Sequence, residues 1–403
     1  METYWHYDHR HPGGPMTASL TRRHLLTAAL AAGVAVPLGA GRGLASPKRL
    51  MLPPPTGPHP VGTVPLHLID TSRLDPVAGP GHHPELMADV WYPATRDARR
   101  HPVKAWMPAA PMHALFESAG LDADVAPPRT AGHQGAPVLR PAGRRPVVVF
   151  SHGAADQRSE ATVVVQELVS HGYVVVTVDH PYDPFGEFPD GRLRLPADDV
   201  PVTPWDHARD IRFVLDRIED LAAGRNPDAQ GRPLPAGLGA ALDPHRVGMF
   251  GFSKGATATA LVMNTDRRVR AGLSLDGPML SGPRPAELDR PFMLMTAAFT
   301  PGADESGVGE FWPLLHGWRL QVHTAGATHI GYCDYPWLIP QLAAVNGMSG
   351  EQVTDWIGTL PPARAVRIQR AYPLAFFDLH LRHLRQWLLE RPSPAFPEVK
   401  FVP

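Results

Sequence analysis

Gly251-Phe-Ser-Lys-Gly255 sets a serine between two glycines. The apolar run Val247-Gly-Met-Phe250 precedes it, and the small residues Ala256-Thr-Ala258 follow it. Strand, tight turn and helix in that order lift a serine hydroxyl above the edge of a sheet. The turn is sharp enough to strain the serine backbone, and side chains at the flanking glycines would strike the helix or a neighbouring strand. The hydroxyl would then lie near the positive end of a helix. Ser253 is thus the candidate nucleophile, and the chemistry is acyl transfer. Five residues alone match by chance; the strand before them and the helix start after them give the pattern its weight.

A serine hydroxyl attacks only when a neighbouring imidazole accepts its proton. His329, in Gly326-Ala-Thr-His-Ile-Gly331, follows a predicted strand at 319–324, and small residues ahead of it leave room to reach over Ser253. His316, ahead of that strand, and His323, inside it, are its rivals. Two residues compete as the acid. Asp276 ends the predicted strand Ala271–Leu275, whereas Asp304 follows the next one, Pro291–Ala297. Either preserves the order Ser, Asp, His. An oxyanion needs two main-chain N–H donors. Lys254, next to the nucleophile, supplies one, and the loop after Phe150-Ser-His-Gly supplies the other through Ala154, with Ala155 as the alternative. His152 precedes Ser253 in the chain and reads as a packed loop residue.

The elements that must hold these groups alternate. Pro146–Ser151 and Tyr173–Val178 are continuous apolar runs, as in strands covered on both faces of a parallel sheet. Helices are expected at Ser159–His171, at Trp205–Ala222 with Ile211, Val214, Leu215, Ile218 and Leu221 on one face, and at Ala371–Glu390. Arg246–Phe250 is a further strand, and Arg319–Thr324 is expected to be the last. Residues 62–72 and 86–92 alternate as antiparallel strands and are expected at one edge. Residues 94–145 are rich in Pro, Ala and His and read as an excursion with a helix near Met112–Ala119. Phe185, Phe188 and Trp205 are equally suited to an interfacial lid or to simple packing. Together the pattern is α/β, a mainly parallel sheet with helices on both faces and long loop insertions.

Composition narrows the function. Of 403 residues, 38 are Lys or Arg and 39 Asp or Glu, so no strong field favours nucleic acid or an anionic membrane. The single cysteine, Cys333, excludes an internal disulfide framework and a multi-cysteine zinc site. The 47 prolines and 37 glycines point to long loops. At the N-terminus, Thr21-Arg-Arg-His-Leu-Leu26 precedes an uncharged, Ala-rich run ending at Ala40, too short to span a bilayer comfortably. Adjacent arginines before such a run look like a twin-arginine export signal, here 1–45, with cleavage after Ala40 or Ala45. Translation from Met16 would remove the His-containing 1–15 leader. Residues 46–62 read as a Pro-rich linker, and 63–403 as one domain.

Several stretches in order resemble the platelet-activating factor acetylhydrolase family of secreted lipases and esterases, which have the α/β-hydrolase fold. They are Ala88-Asp-Val-Trp-Tyr-Pro-Ala94, Phe150-Ser-His-Gly153, Glu167-Leu-Val-Ser-His-Gly-Tyr-Val-Val175, Val178-Asp-His-Pro181, Gly251-Phe-Ser-Lys-Gly255, Leu273-Ser-Leu-Asp-Gly277 and Thr328-His-Ile-Gly-Tyr-Cys-Asp-Tyr335. The resemblance implies Ser253 as nucleophile, Asp276 as acid, His329 as base, and Ala154 and Lys254 as oxyanion donors. It implies a small-molecule or lipid ester substrate, such as a short-acyl phospholipid, transient contact with a lipid surface, and no cofactor or metal. Lys254 departs from the apolar or aromatic residue usual in the family and sets a charge beside the site. The Pro-rich stretches 94–145 and 335–365 would reshape the pocket. The other readings are a different secreted lipase or polyester esterase, an inactive hydrolase fold used for binding, and a metal-binding protein. The last is disfavoured because the 21 histidines are scattered, with no helical pair near a carboxylate cluster.

Overall fold

Alternate residues of one strand point to opposite faces of its sheet, and the long apolar runs use this on both sides. Val147 and Val149 join a core with Ile211, Leu215 and Leu261, whereas Val148 and Phe150 join another with Leu168, Phe376 and Phe377. A strand covered on both faces needs no polar positions, which is why 146–151 contains almost none.

A computed structural model describes residues 49–121, 125–140, 143–279, 284–297 and 307–403. The expected signal segment, residues 46–48 and Asp304 lie outside these. In chain order the strands are β1 (Arg49–Met51), β2 (Val61–Ile69), β3 (Glu85–Pro93), β4 (Val103–Ala105), β5 (Ala126–Gln134), β6 (Arg145–Ser151), β7 (Val174–Val178), β8 (Gly186–Glu187), β9 (Leu193–Arg194), β10 (Leu242–Phe252), β11 (Val269–Leu275), β12 (Phe292–Ala297), β13 (Arg319–Thr324) and β14 (Val399–Val402). The longer helices are α1 (Ala109–Ser118), α2 (Thr162–Ser170), α3 (Pro204–Ala222), α4 (Lys254–Thr265), α5 (Tyr335–Asn346), α6 (Gly350–Ile357) and α7 (Pro362–Arg382).

Among the described residues the main sheet runs β1-β5-β2-β3-β7-β6-β10-β11-β12-β13-β14, with β4 on β5. From β7 to β13 each neighbouring pair is parallel. β2 and β3 are antiparallel, as expected, and β3 joins β7 antiparallel. Helix α3 begins with a reciprocal capping box between Thr203 and Asp206 and with Pro204 at its first position. Its expected face is buried.

Four expectations need correction. Residues 49–62 are part of the domain rather than a linker: β1 pairs with β5, and Leu50 and Leu52 are buried. The excursion 94–145 supplies β4 and β5 as well as α1, so β2 is not at the edge. Pro127 and Pro128 hid β5, because proline cannot donate to a ladder. The last strand is β14, antiparallel to β13. The C-terminal helix starts at Pro362 and ends at Arg382, where His383 turns left-handed with φ 60°.

The two Pro-rich stretches pack on each other. Trp106, Met112 and Phe116 from the first meet Leu338, Ile339 and Leu342 of the second in a separate apolar cluster. Phe185 and Phe188 are buried and Trp205 packs on the main core, which is the packing alternative rather than a lid.

Candidate active site

Ser253 sits between the end of β10 and the start of α4 with φ 50° and ψ −118°, a left-handed conformation that non-glycine residues rarely adopt. Its N–H donates to Leu275 O at 3.0 Å and its carbonyl accepts from Ala256 N at 3.0 Å, so the surrounding strand and helix hold the strain. The flanking glycines are required by contact. A Cβ on Gly251 would run into the Gly255 backbone, and one on Gly255 would run into the Ser151 carbonyl and lie 2.6 Å from His152 O. Helix α4 can approach the sheet this closely only without those side chains.

One strand further on, Asp276 is also left-handed, with φ 48°. Its Oδ1 accepts from Ala297 N at 2.8 Å and its Oδ2 meets His329 Nδ1 at 2.6 Å. The Asp276 side chain is fully buried and that of His329 is 18% exposed. The His329 ring lies 4.7 Å, centroid to centroid, from that of Phe252, the neighbour of Ser253. Its loop is strapped down by Thr328 Oγ1 donating to Trp356 O and by Gln369 Nε2 donating to Gly331 O and Cys333 O, each at 2.8 Å. The rival His316 is more than half exposed beside Glu287, and His323 contacts Thr296 Oγ1.

Ala154, Ser253 and Lys254 line one cavity of about 430 Å³ together with Val202, Thr203, Pro204 and Pro278. The Ala155 N–H is donated to Asp183 Oδ1 at 2.8 Å, and its neighbour Ala154 is the residue of this loop that lines the cavity. The Lys254 N–H belongs to the first helical turn, whose N–H groups have no partner within the helix. Behind the loop, Gly153 N donates to Glu160 Oε1 at 2.6 Å, and burial, then the nearby Asp156, raises the Glu160 carboxyl well above its usual range.

The expected charge beside the site is a paired one. Lys254 Nζ donates to Asp183 Oδ2 at 2.9 Å and to Val202 O at 2.8 Å. Asp183 Oδ2 also meets His207 Nε2 at 2.8 Å. His207 stacks on His180 with centroids 3.6 Å apart, and His152 lies beside both. All three imidazoles are fully buried. Burial, reinforced by His180, pushes His152 down to about 4 and His207 well below its usual value, so both are neutral near pH 7. The sequence reading placed His152 correctly as packed but missed Asp183 and His207. The one signal for Asp183 was the run Asp179-His-Pro-Tyr-Asp183 directly after a buried strand.

Residues 44–183 match the family described as platelet-activating factor acetylhydrolase, isoform II. A probable 1-alkyl-2-acetylglycerophosphocholine esterase of Arthroderma benhamiae is 26% identical over 64% of this chain and 66% of its own length. A platelet-activating factor acetylhydrolase of Cavia porcellus is 20% identical over 53% of this chain and 55% of its own. The matches thus span just under two thirds and about half of these two relatives. A solved ferulic acid esterase from Streptomyces cinnamoneus is 32% identical, superposes with a TM-score of 0.74, and covers 88% of this chain and 99% of its own.

By these matches the chain is related to the platelet-activating factor acetylhydrolase-like family. The relatives named here are esterases and an acetylhydrolase, and the fold is that of an α/β-hydrolase. Within this family the matched segment 44–183 carries β2, β3, the loop with Ala154, and Asp183, while the elbow and the Asp276–His329 pair lie beyond it.

Proposed function

We propose that the protein is a serine carboxylic-ester hydrolase working through an acyl-enzyme. Ser253 Oγ attacks the ester carbonyl while His329 takes its proton. Asp276 fixes the imidazole tautomer through Nδ1 and stabilises the imidazolium. The Ala154 and Lys254 N–H groups bind the oxyanion. His329 returns the proton to the leaving alkoxide, and water then repeats the sequence in reverse on the acyl-serine.

The observation that carries this reading is the 2.6 Å contact between His329 Nδ1 and the buried Asp276, one strand beyond the strained Ser253. The test is hydrolysis of nitrophenyl esters of graded acyl length by wild type, Ser253→Ala, Asp276→Asn and Asp304→Asn. A triad acid replaced by its amide costs about 10⁴ in kcat. That loss is expected at Asp276 and not at Asp304. The opposite pattern refutes the acid assignment.

Two substrate readings follow from the relatives. The first is a short-acyl phospholipid or lipid-like ester, supported by the names of the two curated relatives. The second is an aryl ester of the hydroxycinnamate type, supported by the fuller coverage of the ferulic acid esterase. Parallel assays on a short-acyl phosphatidylcholine and a feruloyl ester separate them. Export through residues 1–45 is supported by Arg22-Arg23 ahead of the uncharged run. Failure of a fusion carrying residues 1–48 to leave the cytoplasm in a twin-arginine host would exclude it.

A further inference from the structure

Oxyanion donors contribute to catalysis only if they are held where the oxyanion forms. Here they belong to two separate elements, the loop after β6 and the first turn of α4. Asp183 touches both. Its Oδ1 accepts the Ala155 N–H at 2.8 Å, and its Oδ2 accepts Lys254 Nζ at 2.9 Å. Ala155 has φ 49°, a left-handed conformation unfavourable for alanine, so the loop needs an outside hold at this residue.

Asp183 is itself held from behind. His207 Nε2 meets Oδ2 at 2.8 Å. Ser151 Oγ lies between His207 Nδ1 at 3.4 Å and His180 Nε2 at 2.9 Å, and His180 Nδ1 meets Asp210 Oδ2 at 3.0 Å. Arg73 pairs with Asp210 and reaches Asp70 at 2.7 Å. Ser151, His180 and Asp210 thus form a second serine–histidine–aspartate chain. All three are buried, so no substrate reaches it, and its place against Asp183 makes it a strut. Burial opposes the Asp183 anion, but His207 and the Lys254 charge hold its carboxyl well below the usual range. It is therefore a carboxylate throughout the pH range in which a histidine base works.

We propose that Asp183 is the positioning residue of the oxyanion hole, clamping its two walls together through the Ala155 N–H and the Lys254 ammonium; this rests on the acyl-transfer reading above.

The test pairs an oxygen ester with its thionoester, in which sulfur replaces the carbonyl oxygen. Sulfur is larger and a weaker acceptor, so donors fixed for oxygen discriminate against it, and loosened donors do so less. Asp183→Ala removes both contacts. Asp183→Asn keeps an acceptor for Ala155 and loses the charge that holds Lys254, and it is the variant that retains the buried volume. Asp183→Ala is expected to lower kcat by about 100-fold, the cost of a misplacement near 1 Å, with KM within about threefold. The oxygen-to-sulfur ratio should fall by about tenfold or more, with Asp183→Asn intermediate. A kcat loss with an unchanged ratio in the folded Asp183→Asn protein means general damage and overturns the proposal, as do wild-type kcat and ratio in both variants. Ser253→Ala in the same assay keeps the two readings apart. Full turnover there refutes the nucleophile, whereas an inactive Ser253→Ala beside wild-type-like Asp183→Ala and Asp183→Asn refutes the clamp alone.

Discussion

Acid should unfold this protein partly through one imidazole that takes no role in the proposed chemistry. His152 is buried against His180 and His207, with Asp183 and Asp179 nearby, and its pKa is pushed down to about 4 from 6.5. Above pH 6.5 it is neutral in both the folded and the unfolded chain. Below that, the unfolded chain binds a proton that the folded one refuses. A depressed folded pKa therefore means stability that is present above 6.5 and lost as pH falls towards 4. With about 1.4 kcal/mol for each pH unit over which the unfolded chain holds one more proton, His152 alone removes about 2–3 kcal/mol between pH 7.5 and 4.5. His207, also lowered by burial, adds a loss of the same sign. His152→Gln keeps an acceptor for the His180 N–H and a donor for Gly153 O, the two contacts the imidazole makes at 3.1 and 2.7 Å, but does not titrate. Urea midpoints at pH 7.5, 6.0, 5.0 and 4.5 give the comparison. The variant should start less stable at pH 7.5 and lose about 2–3 kcal/mol less than wild type on acidification. Parallel losses in the two proteins would show that His152 is not a neutral group in the fold, and the argument from burial would fail.

Two further outcomes follow from packing. Gly255→Ala forces a methyl into the Ser151 carbonyl. Overpacking of this kind costs about 3 kcal/mol, and the same shift displaces Ser253, so urea midpoint and turnover should fall together; a stable, active variant would contradict the close approach of α4. Arg158 bridges Asp89 and Asp179, both fully buried, with Lys104 Nζ 3.0 Å from Asp89. Arg158→Met leaves Asp179 without its cation, and chemical denaturation should show a loss of about 3–5 kcal/mol; a loss below about 1 kcal/mol would mean the pair is solvated.

The centre of the sheet was legible because its runs are unambiguous. Val147–Phe150 and Val174–Val178 have no reading other than strands covered on both sides, and the glycines at 251 and 255 mark the turn between β10 and α4. Ser253 and His329 stand out by order along the chain, each after a strand of one parallel block, whereas order left Asp276 and Asp304 equal and only the family resemblance favoured Asp276. The edges were illegible for local reasons. β5 opens on Ala126-Pro-Pro128 and carries no apolar alternation, and β14 is four residues long at the chain end. The support of the site was hidden for a different reason. Lys254 and Asp183 are 71 residues apart and meet only because a loop after β7 folds across the start of α4. No periodicity records such a contact, so the lysine read only as a charge beside the site and Asp183 did not stand out.

The central claim is that Ser253 is an activated nucleophile, and a fluorophosphonate probe tests it directly. The wild-type protein should be labelled at one site, mapped by peptide mass spectrometry to Ser253, with label and esterase activity lost in step. Ser253→Ala should take up no label and turn over no ester. Labelling at another residue, or full hydrolysis by Ser253→Ala, would contradict the account.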